Sequence, residues 1–388
     1  MNYDIIIIGA GIQGAGVAQA ACAEGYRVLV VEQYTKPAQG TSSRSSKLIH
    51  GGLRYLETAQ FSLVYECLQE RKRLLKNAPH LVKLVPFYIP VYEKSHRKPW
   101  KIRLGLALYS LLSFTPFESI PKSKWSSLKG LNVQGLKAVF KYYDGQTDDK
   151  KLTQAVLASA KTLGADIIFS SHVESIAIGS KLCRVTIIND GKKELLKSLL
   201  VINAAGPWVK SIVKRSSPII TAQPKIDLVQ GTHIIVPKTS KLLGMYYLEA
   251  PQDQRAVFVM PWKGQLLIGT TEVTYSGDPA DVAPLKTEIQ YLLSVYNHYF
   301  SANLSQSDVI ASFAGLRVLP QSVGSAFSRP RDTLLVGDNG DQSRMFSLYG
   351  GKLTAYRATA EKVVLRLRKV FLPTTANKVV NTRSLRLP

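Results

Sequence analysis

The chain has 388 residues, 45% of them apolar, with 27 glycines and 19 prolines, a composition that excludes collagenous, low-complexity and intrinsically disordered classes. A chain of this length divides into two domains or forms one large domain with an inserted lobe, and either can bury a full core. Its 50 Lys and Arg against 27 Asp and Glu leave a net charge of +23, which points to an anionic partner: nucleic acid, anionic lipid or a phosphorylated substrate.

Cys22, Cys67 and Cys183 are odd in number and form no CxxC pair. They predict neither a disulfide framework nor a zinc site, and no metal, and they point to an intracellular protein. Met1 and Asn2 lead straight into an apolar run without a basic leader or cleavage site, so no secretory signal is expected. The longest weakly polar stretch, Leu104 to Phe114, is about half of the roughly 20 residues a bilayer-spanning helix needs.

In chain order, Tyr3 to Ile8 (YDIIII) is a short β-branched run of the kind that forms a buried parallel strand. Gly9, Gly11 and Gly14 follow as a GxGxxG turn, Ala15 to Gly25 reads as helix, and Arg27 to Val31 as a second strand ending at Glu32. This is a βαβ unit for a dinucleotide. Gly9 permits the tight turn, Gly11 lets the backbone approach a pyrophosphate, and Gly14 lets helix and strand pack closely, while the helix N-terminus faces the phosphates. Glu32 stands where a carboxylate accepts ribose hydroxyls and repels a 2′-phosphate, which favours FAD or NAD over NADP.

Leu199 to Gly206 and Thr333 to Asp338 read as further strands of that sheet, and Gly350-Gly351-Lys352 precedes a helical stretch reaching about Phe371. Residues 217–310 are richer in alternating runs (Thr232 to Val236, Ala256 to Met260, Gln265 to Thr270), interrupted by an amphipathic helix, Leu285 to Phe300. The expected class is α/β (α+β): a Rossmann-like nucleotide domain built from discontinuous segments, with an inserted antiparallel-sheet substrate domain. Trp100 to Phe114 mixes Lys101 and Arg103 with apolar residues. It fits a buried helix or an interfacial one attracted by anionic lipid, and the charge of the chain favours membrane contact. Nucleic acid is not expected, because there is no basic-aromatic cluster or recognition motif.

Residues 40–57 (GTSSRSSKLIHGGLRYLE) carry much more information. This run resembles the signature of the FAD-dependent (respiratory, quinone-linked) glycerol-3-phosphate dehydrogenases, members of the D-amino-acid-oxidase-like flavoprotein superfamily. The likeness recurs in the same order at Asn203 to Lys210 (NAAGPWVK), Gln230 to Pro237 (QGTHIIVP), Phe258 to Trp262 (FVMPW), Ile268 to Thr271 (IGTT), Ser312 to Arg317 (SFAGLR) and Tyr349 to Arg357 (YGGKLTAYR). It implies an FAD-binding domain from residues 1–75, 146–216 and 311–372, a substrate- and membrane-facing insertion over 76–145, and a substrate domain over 217–310. Residues 373–388 are expected as a basic tail. Bacterial members carry a further helical domain after the GGKLT block, and this chain is expected to lack it.

By composition alone Thr41, Ser42, Ser43, Ser46 and Lys47 belong to a solvated loop. The resemblance instead wraps this loop around FAD, together with Leu48, Ile49, His50 and Gly51. It adds Val173, Ala205, Gly206, Gly315, Gly351, Lys352, Leu353 and Thr354 to the cofactor set that Gly9, Gly11, Gly14 and Glu32 begin. Arg54 and Tyr55 would sit at the flavin rim, with Arg54 offering a fork to phosphate rather than pairing with Glu57. His233 is expected as the base that takes the hydroxyl proton, although a lone His in an apolar strand is usually structural. Arg54, Tyr55, His233, Arg317, Arg331 and Lys352 make the expected substrate set, with His233, Arg317 and Arg54 as its catalytic members.

The implied reaction oxidises sn-glycerol 3-phosphate to dihydroxyacetone phosphate, by hydride transfer to flavin N5 and onward to a membrane quinone. The implied location is the cytoplasm, peripheral to the inner face of the membrane, and a homodimer is compatible. Two rival readings share these residues: a sister FAD amine or 2-hydroxy-acid oxidase or dehydrogenase, and a non-catalytic flavin- or membrane-binding homologue.

Overall fold

The computed structural model describes residues 2–238, 242–321, 333–373 and 379–388. Its organising element is β1 (Asn2–Ile8), which pairs in parallel with Lys192–Asn203 on one side and with β2 (Val28–Val31) on the other. Because side chains alternate along a strand, Ile5 and Ile7 enter one core while Ile6 and Ile8 enter the core on the opposite face. Val28 and Val30 are likewise separated from Leu29 and Val31. That two-sided burial is why the run carries no polar face.

Helix α1 (Ile12–Ala23) begins directly at the glycine turn, with Gly11 as its N-cap, three residues before the expected start. The reason is Gly14: a Cβ there would lie 1.9 Å from the carbonyl oxygen of Gly9, so only glycine lets the helix start this close to the strand. Nearly all of α1 is buried, between the helices Asp149–Thr162 and Tyr356–Arg368. Its run of alanines and glycines is what allows that approach.

The first sheet, nine-stranded among the described residues, runs Ser216–Ser217, Ser171–Ile178, Cys183–Asn189, Lys192–Asn203, β1, β2 and Asp166–Ile168. Met345–Tyr349 joins Lys192–Asn203 in parallel and carries Leu334–Gly337 antiparallel. Four parallel strands thus end side by side, at Ile8, Val31, Asn203 and Tyr349, and the chain leaves each toward the same mouth.

The second sheet is mainly antiparallel. Ile226–Val236 pairs with Gln265–Gly269, with Val273–Tyr275 and, along ten positions, with Ala311–Pro320. It extends through Ala256–Trp262 and Met245–Glu249 to Val82–Tyr92, Leu136–Thr147 and Leu48–Ile49. Its sheet therefore draws on 82–92, 136–147 and 311–320 as well as on 217–310. Lys286–Tyr299 covers one face through Leu292, Val295, Tyr296 and Tyr299. Phe61–Asn77 and Pro99–Ser113 supply Val64, Leu68, Leu106 and Tyr109 to the core on the other face.

The end of the segment expected as a tail is docked. Val380 N–H donates to Ala23 O at 2.8 Å, Leu387 N–H donates to Asn77 O at 2.9 Å, and Leu387 is buried. All three cysteines are buried and free. Among the described residues no helix is long and apolar enough to cross a membrane.

One buried ion pair ties the helix behind the second sheet to the helix behind the first. Arg357 forks onto Glu70, with Nε and NH2 each 2.7 Å from a carboxylate oxygen, and both side chains are at most 6% exposed. Removing one partner of such a pair strips a buried charge of much of its compensation. Glu70→Ala should therefore lower the unfolding free energy by about 3 kcal/mol in urea titrations, Glu361 remaining on Arg357 at 3.2 Å. A loss below roughly 1 kcal/mol, the range of a surface pair, would show that the pair does not hold the helices together.

Candidate cofactor and substrate cleft

At the carboxyl ends of those four strands lies a cleft of about 390 Å³, where open α/β sheets place their ligands. Gly9 forms its first corner at φ +103°, and a Cβ there would meet Ala204 O at 2.8 Å. Gly11, Ile12 and Gln13 present the N-terminal end of α1, the end that carries free N–H groups and positive potential. Ile12 N–H is donated to Ser42 Oγ at 2.9 Å, which joins the helix start to the serine loop.

Glu32 lines the same end, but its carboxylate is already engaged. It accepts Ala10 N–H at 2.6 Å and Tyr34 N–H at 3.0 Å. Burial raises its pKa, and these backbone donors pull against that shift. Glu32 thus braces the glycine turn from below. Ala205, Gly206 and Val173 line the same region, walled by Tyr34 and Trp208 in edge contact at 6.0 Å.

The loop from Gly40 to Gly52 is anchored by a residue outside every motif. Asp149 Oδ2 accepts both the N–H and the hydroxyl of Ser45, at 2.9 and 2.7 Å. Its Oδ1 takes Lys47 Nζ at 2.6 Å. Lys47 Nζ also donates to Ser43 O at 2.6 Å and lies 5.0 Å from the centre of the Phe313 ring. Lys47 is therefore a buried anchor behind the cleft. Ser43, whose hydroxyl turns to Gly40 O, also stands behind it, as do Gly14, Ile49 and Gly51. The structure brings the other expected cofactor residues to the lining: Thr41, Ser42, Ser46, Leu48, His50, Gly315, Gly351, Lys352, Leu353 and Thr354 join Gly9, Gly11, Glu32, Val173, Ala205 and Gly206.

His233, in Ile226–Val236 and almost fully buried, also lines the cleft. Its Nε2 lies 2.9 Å from Ser46 Oγ, and its ring stacks on Phe313 at 5.0 Å and 12°. The ring fits because position 269 is glycine, where a Cβ would sit 2.1 Å from it. Burial first, then the positive charges of Arg317 and Lys47, hold its pKa well below the ordinary 6.5. The imidazole is therefore held uncharged.

Arg317 is held by Glu272 at 2.9 Å and by Thr270 Oγ1 at 3.1 Å. The Arg54 guanidinium lies 5.5 Å from the Tyr55 ring centre and Lys352 Nζ lies 4.2 Å from it, so one buried phenol ring carries two cations. Glu57, the alternative partner for Arg54, pairs with Arg97. Arg331 lies outside the described residues.

Sequence reasoning did not single out Gln13, Tyr34, Trp208, Arg255 or Glu272, which also line the cleft. Trp208 and Glu272 stood inside or beside recognised motifs, whereas Arg255 carried no signal among so many cations. Three buried polar atoms of cleft residues have no hydrogen-bond partner among the described residues: Gln13 Oε1, His233 Nδ1 and Lys352 Nζ. Buried polar atoms are normally satisfied. An amide oxygen, an imidazole nitrogen and an ammonium left over in the lining provide hydrogen-bonding capacity for a bound ligand, the ammonium for an anionic part of it.

Comparison with known proteins agrees. The model of a family described as FAD dependent oxidoreductase matches residues 4–357. The chain is 39% identical over 383 residues to a glycerol-3-phosphate dehydrogenase of Pseudomonas aeruginosa, covering 95% of this chain and 72% of that one. It is 35% identical to a D-erythritol 1-phosphate dehydrogenase of Brucella abortus, covering 95% and 74%. Among solved structures, the glycerol-3-phosphate dehydrogenase of Bacillus halodurans complexed with FAD superposes with a TM-score of 0.80 at 26% identity, covering 100% of this chain and 68% of that one.

The environment of His233 has a measurable consequence. The unfolded chain takes up the imidazole proton as the pH falls through about 6.5, while the folded protein does not, because its pKa is lower. The stabilising contribution of His233 is therefore complete above that pH and is lost on acidification. Denaturant titrations between about pH 7 and 5 should show stability falling, with a shallower fall in His233→Gln. Equal slopes would mean that the buried imidazole is not held neutral.

Proposed function

This chain belongs to the FAD-dependent oxidoreductase family, and from that premise we propose that it oxidises sn-glycerol 3-phosphate to dihydroxyacetone phosphate. FAD is its cofactor. The observation that carries the substrate assignment is that one cleft is lined both by the buried His233 and by the cations Arg54, Arg317 and Lys352. A secondary alcohol needs a base, and a phosphate dianion needs more than one positive charge.

In this reading Gly9, Gly11, Ser42 and the start of α1 hold the pyrophosphate, and the Ser46 to Gly52 segment with Gly350 to Thr354 holds the ring end of FAD. Arg54, Lys352 and Arg317 clamp the phosphate. Arg317 keeps its orientation because Glu272 and Thr270 grip it from behind, and Tyr55 keeps Arg54 and Lys352 together. Clamping the remote phosphate orients the reacting carbon, so binding energy is used to position it. His233 takes the hydroxyl proton as the carbonyl forms. FAD, when bound, would supply the hydride acceptor for the C2 carbon, and a membrane quinone would be the onward electron acceptor.

The membrane contact falls to Pro99–Ser113. Trp100, Leu104 and Leu111, with Phe114 just beyond the helix end, are exposed at helical spacing, while Leu106 and Tyr109 are buried on the other face. Lys98, Lys101 and Arg103 lie beside the exposed stripe. A helix that is apolar on both faces and rimmed by cations suits the headgroup layer of an anionic membrane.

The first test is an anaerobic visible spectrum of the purified protein before and after addition of sn-glycerol 3-phosphate. The flavin band should bleach with this substrate but not with glycerol, lactate or D-amino acids, and a band that stays oxidised overturns the substrate assignment. His233→Ala should keep its flavin and lose roughly 10²-fold or more in kcat, so unchanged turnover would remove His233 as the base. In a separate experiment the protein should sediment with vesicles of anionic lipid but not with neutral ones, and the double change Leu104→Glu, Leu111→Glu should abolish this. Equal sedimentation by the double variant would place the contact elsewhere.

A further inference from the structure

The peptide at Gly51 is held by a chain of buried groups that the reaction above does not use. Gly51 N–H donates to the phenol oxygen of Tyr109 at 2.9 Å, Tyr109 O–H donates to Asp144 Oδ2 at 2.7 Å, and Asp144 Oδ1 accepts Arg71 NH1 at 2.7 Å. Arg71 NH1 also donates to Tyr143 O at 3.0 Å, which fixes its place. Tyr109, Asp144 and Arg71 are all buried, and they come from three separate elements: Pro99–Ser113, Leu136–Thr147 and Phe61–Asn77.

The direction of every proton in this chain follows. Burial and the adjacent Asp144 push the Tyr109 phenol well above its ordinary pKa, so it keeps its proton. That proton goes to Asp144, leaving only lone pairs for Gly51. Successive bonds to a charged pair polarise one another, which makes the phenol oxygen a stronger acceptor. Gly51 is glycine because of this contact: a Cβ there would lie 2.5 Å from the Tyr109 oxygen and 2.4 Å from Leu68. The space a side chain at this position would take is filled by the tyrosine and by Leu68.

We propose that Tyr109 is a positioning residue for the flavin, locking the His50–Gly51 peptide plane through its hydroxyl. The peptide is trans, so fixing its N–H toward Tyr109 fixes the His50 carbonyl on the opposite side. His50 and Gly52 both line the cleft, whereas Tyr109 and Gly51 do not. The backbone met by the ring is thus set from behind by a side chain that never touches it. This inference rests on the reading that the ring end of FAD lies against this turn.

The test compares Tyr109→Phe with Leu106→Ala in the FAD-loaded protein. Leu106 is a fully buried neighbour on the same helix, so its truncation leaves a cavity without touching the hydrogen-bond chain. Tyr109→Phe should weaken FAD retention about five- to tenfold, the size of one buried hydrogen bond. It should also shift the visible flavin band and the midpoint potential, and lower kcat with KM for sn-glycerol 3-phosphate unchanged. Leu106→Ala should lower the unfolding midpoint more than Tyr109→Phe does, with retention, band and potential as in the wild type.

Wild-type values in Tyr109→Phe, or equal flavin shifts in Leu106→Ala, overturn the proposal. If Tyr109→Phe does not fold, Tyr109→Leu, which likewise removes the hydroxyl, carries the same readouts. FAD retention and dithionite reduction need no substrate, so a failed substrate assignment leaves this test standing. A wild-type protein that holds no FAD overturns both.

Discussion

The carbonyl of Gly9 and the Cα of Gly14 approach so closely that no side chain fits between them, and the site depends on that contact. It lets α1 start at the end of β1 instead of a turn later, which brings the helix terminus to the mouth formed by four parallel strands. Glu32 secures the same corner from β2 by taking the N–H of Ala10. With the corner fixed, the strand ends at Ile8, Val31, Asn203 and Tyr349 deliver their following residues to one cleft. Steric exclusion here does what a hydrogen-bond network does elsewhere: it leaves the backbone one route.

A second layer of constraint consists of carboxylates that touch no ligand-facing surface of their own loops. Asp149 fastens Ser45 and Lys47 and so presents Ser46 to His233. Glu288 gathers Gln230, Thr232 and Thr271 onto one buried carboxylate and so joins the His233 strand to the segment that carries Thr270 and Glu272. A buried charge is tolerated only when its lone pairs are filled. Each of these acids is filled by neighbours of functional side chains, which couples the electrostatic cost of burial to the geometry of the site.

How much of this was legible in the sequence follows from how local each signal is. β1, β2 and Pro99–Ser113 are written in consecutive residues, by β-branched runs and helical spacing, and they lie where the pattern put them. The glycine turn, the serine loop and the block around His233 were legible as motifs. The burial of Lys47 was not, because its partner Asp149 is 102 positions away and a lysine among serines reads as solvated. The engagement of Arg317 by Glu272 and the docking of 379–388 against Ala23 and Asn77 are equally long-range. Gly51 has motif residues as its sequence neighbours, whereas its spatial neighbours are Leu68 and Tyr109.

The cleft is assembled from segments of both sheets: the turn after β1, the serine loop, the strand with His233, the strand with Arg317 and the glycines after Met345–Tyr349. A ligand that fills it adds a bridge between the two layers. Binding such a ligand favours the folded state by an amount that grows with the logarithm of its free concentration over the dissociation constant. Cofactor supply therefore acts on this protein as a folding variable as well as a catalytic one. A cell short of flavin would hold less of the chain in its folded form, whatever its rate of synthesis.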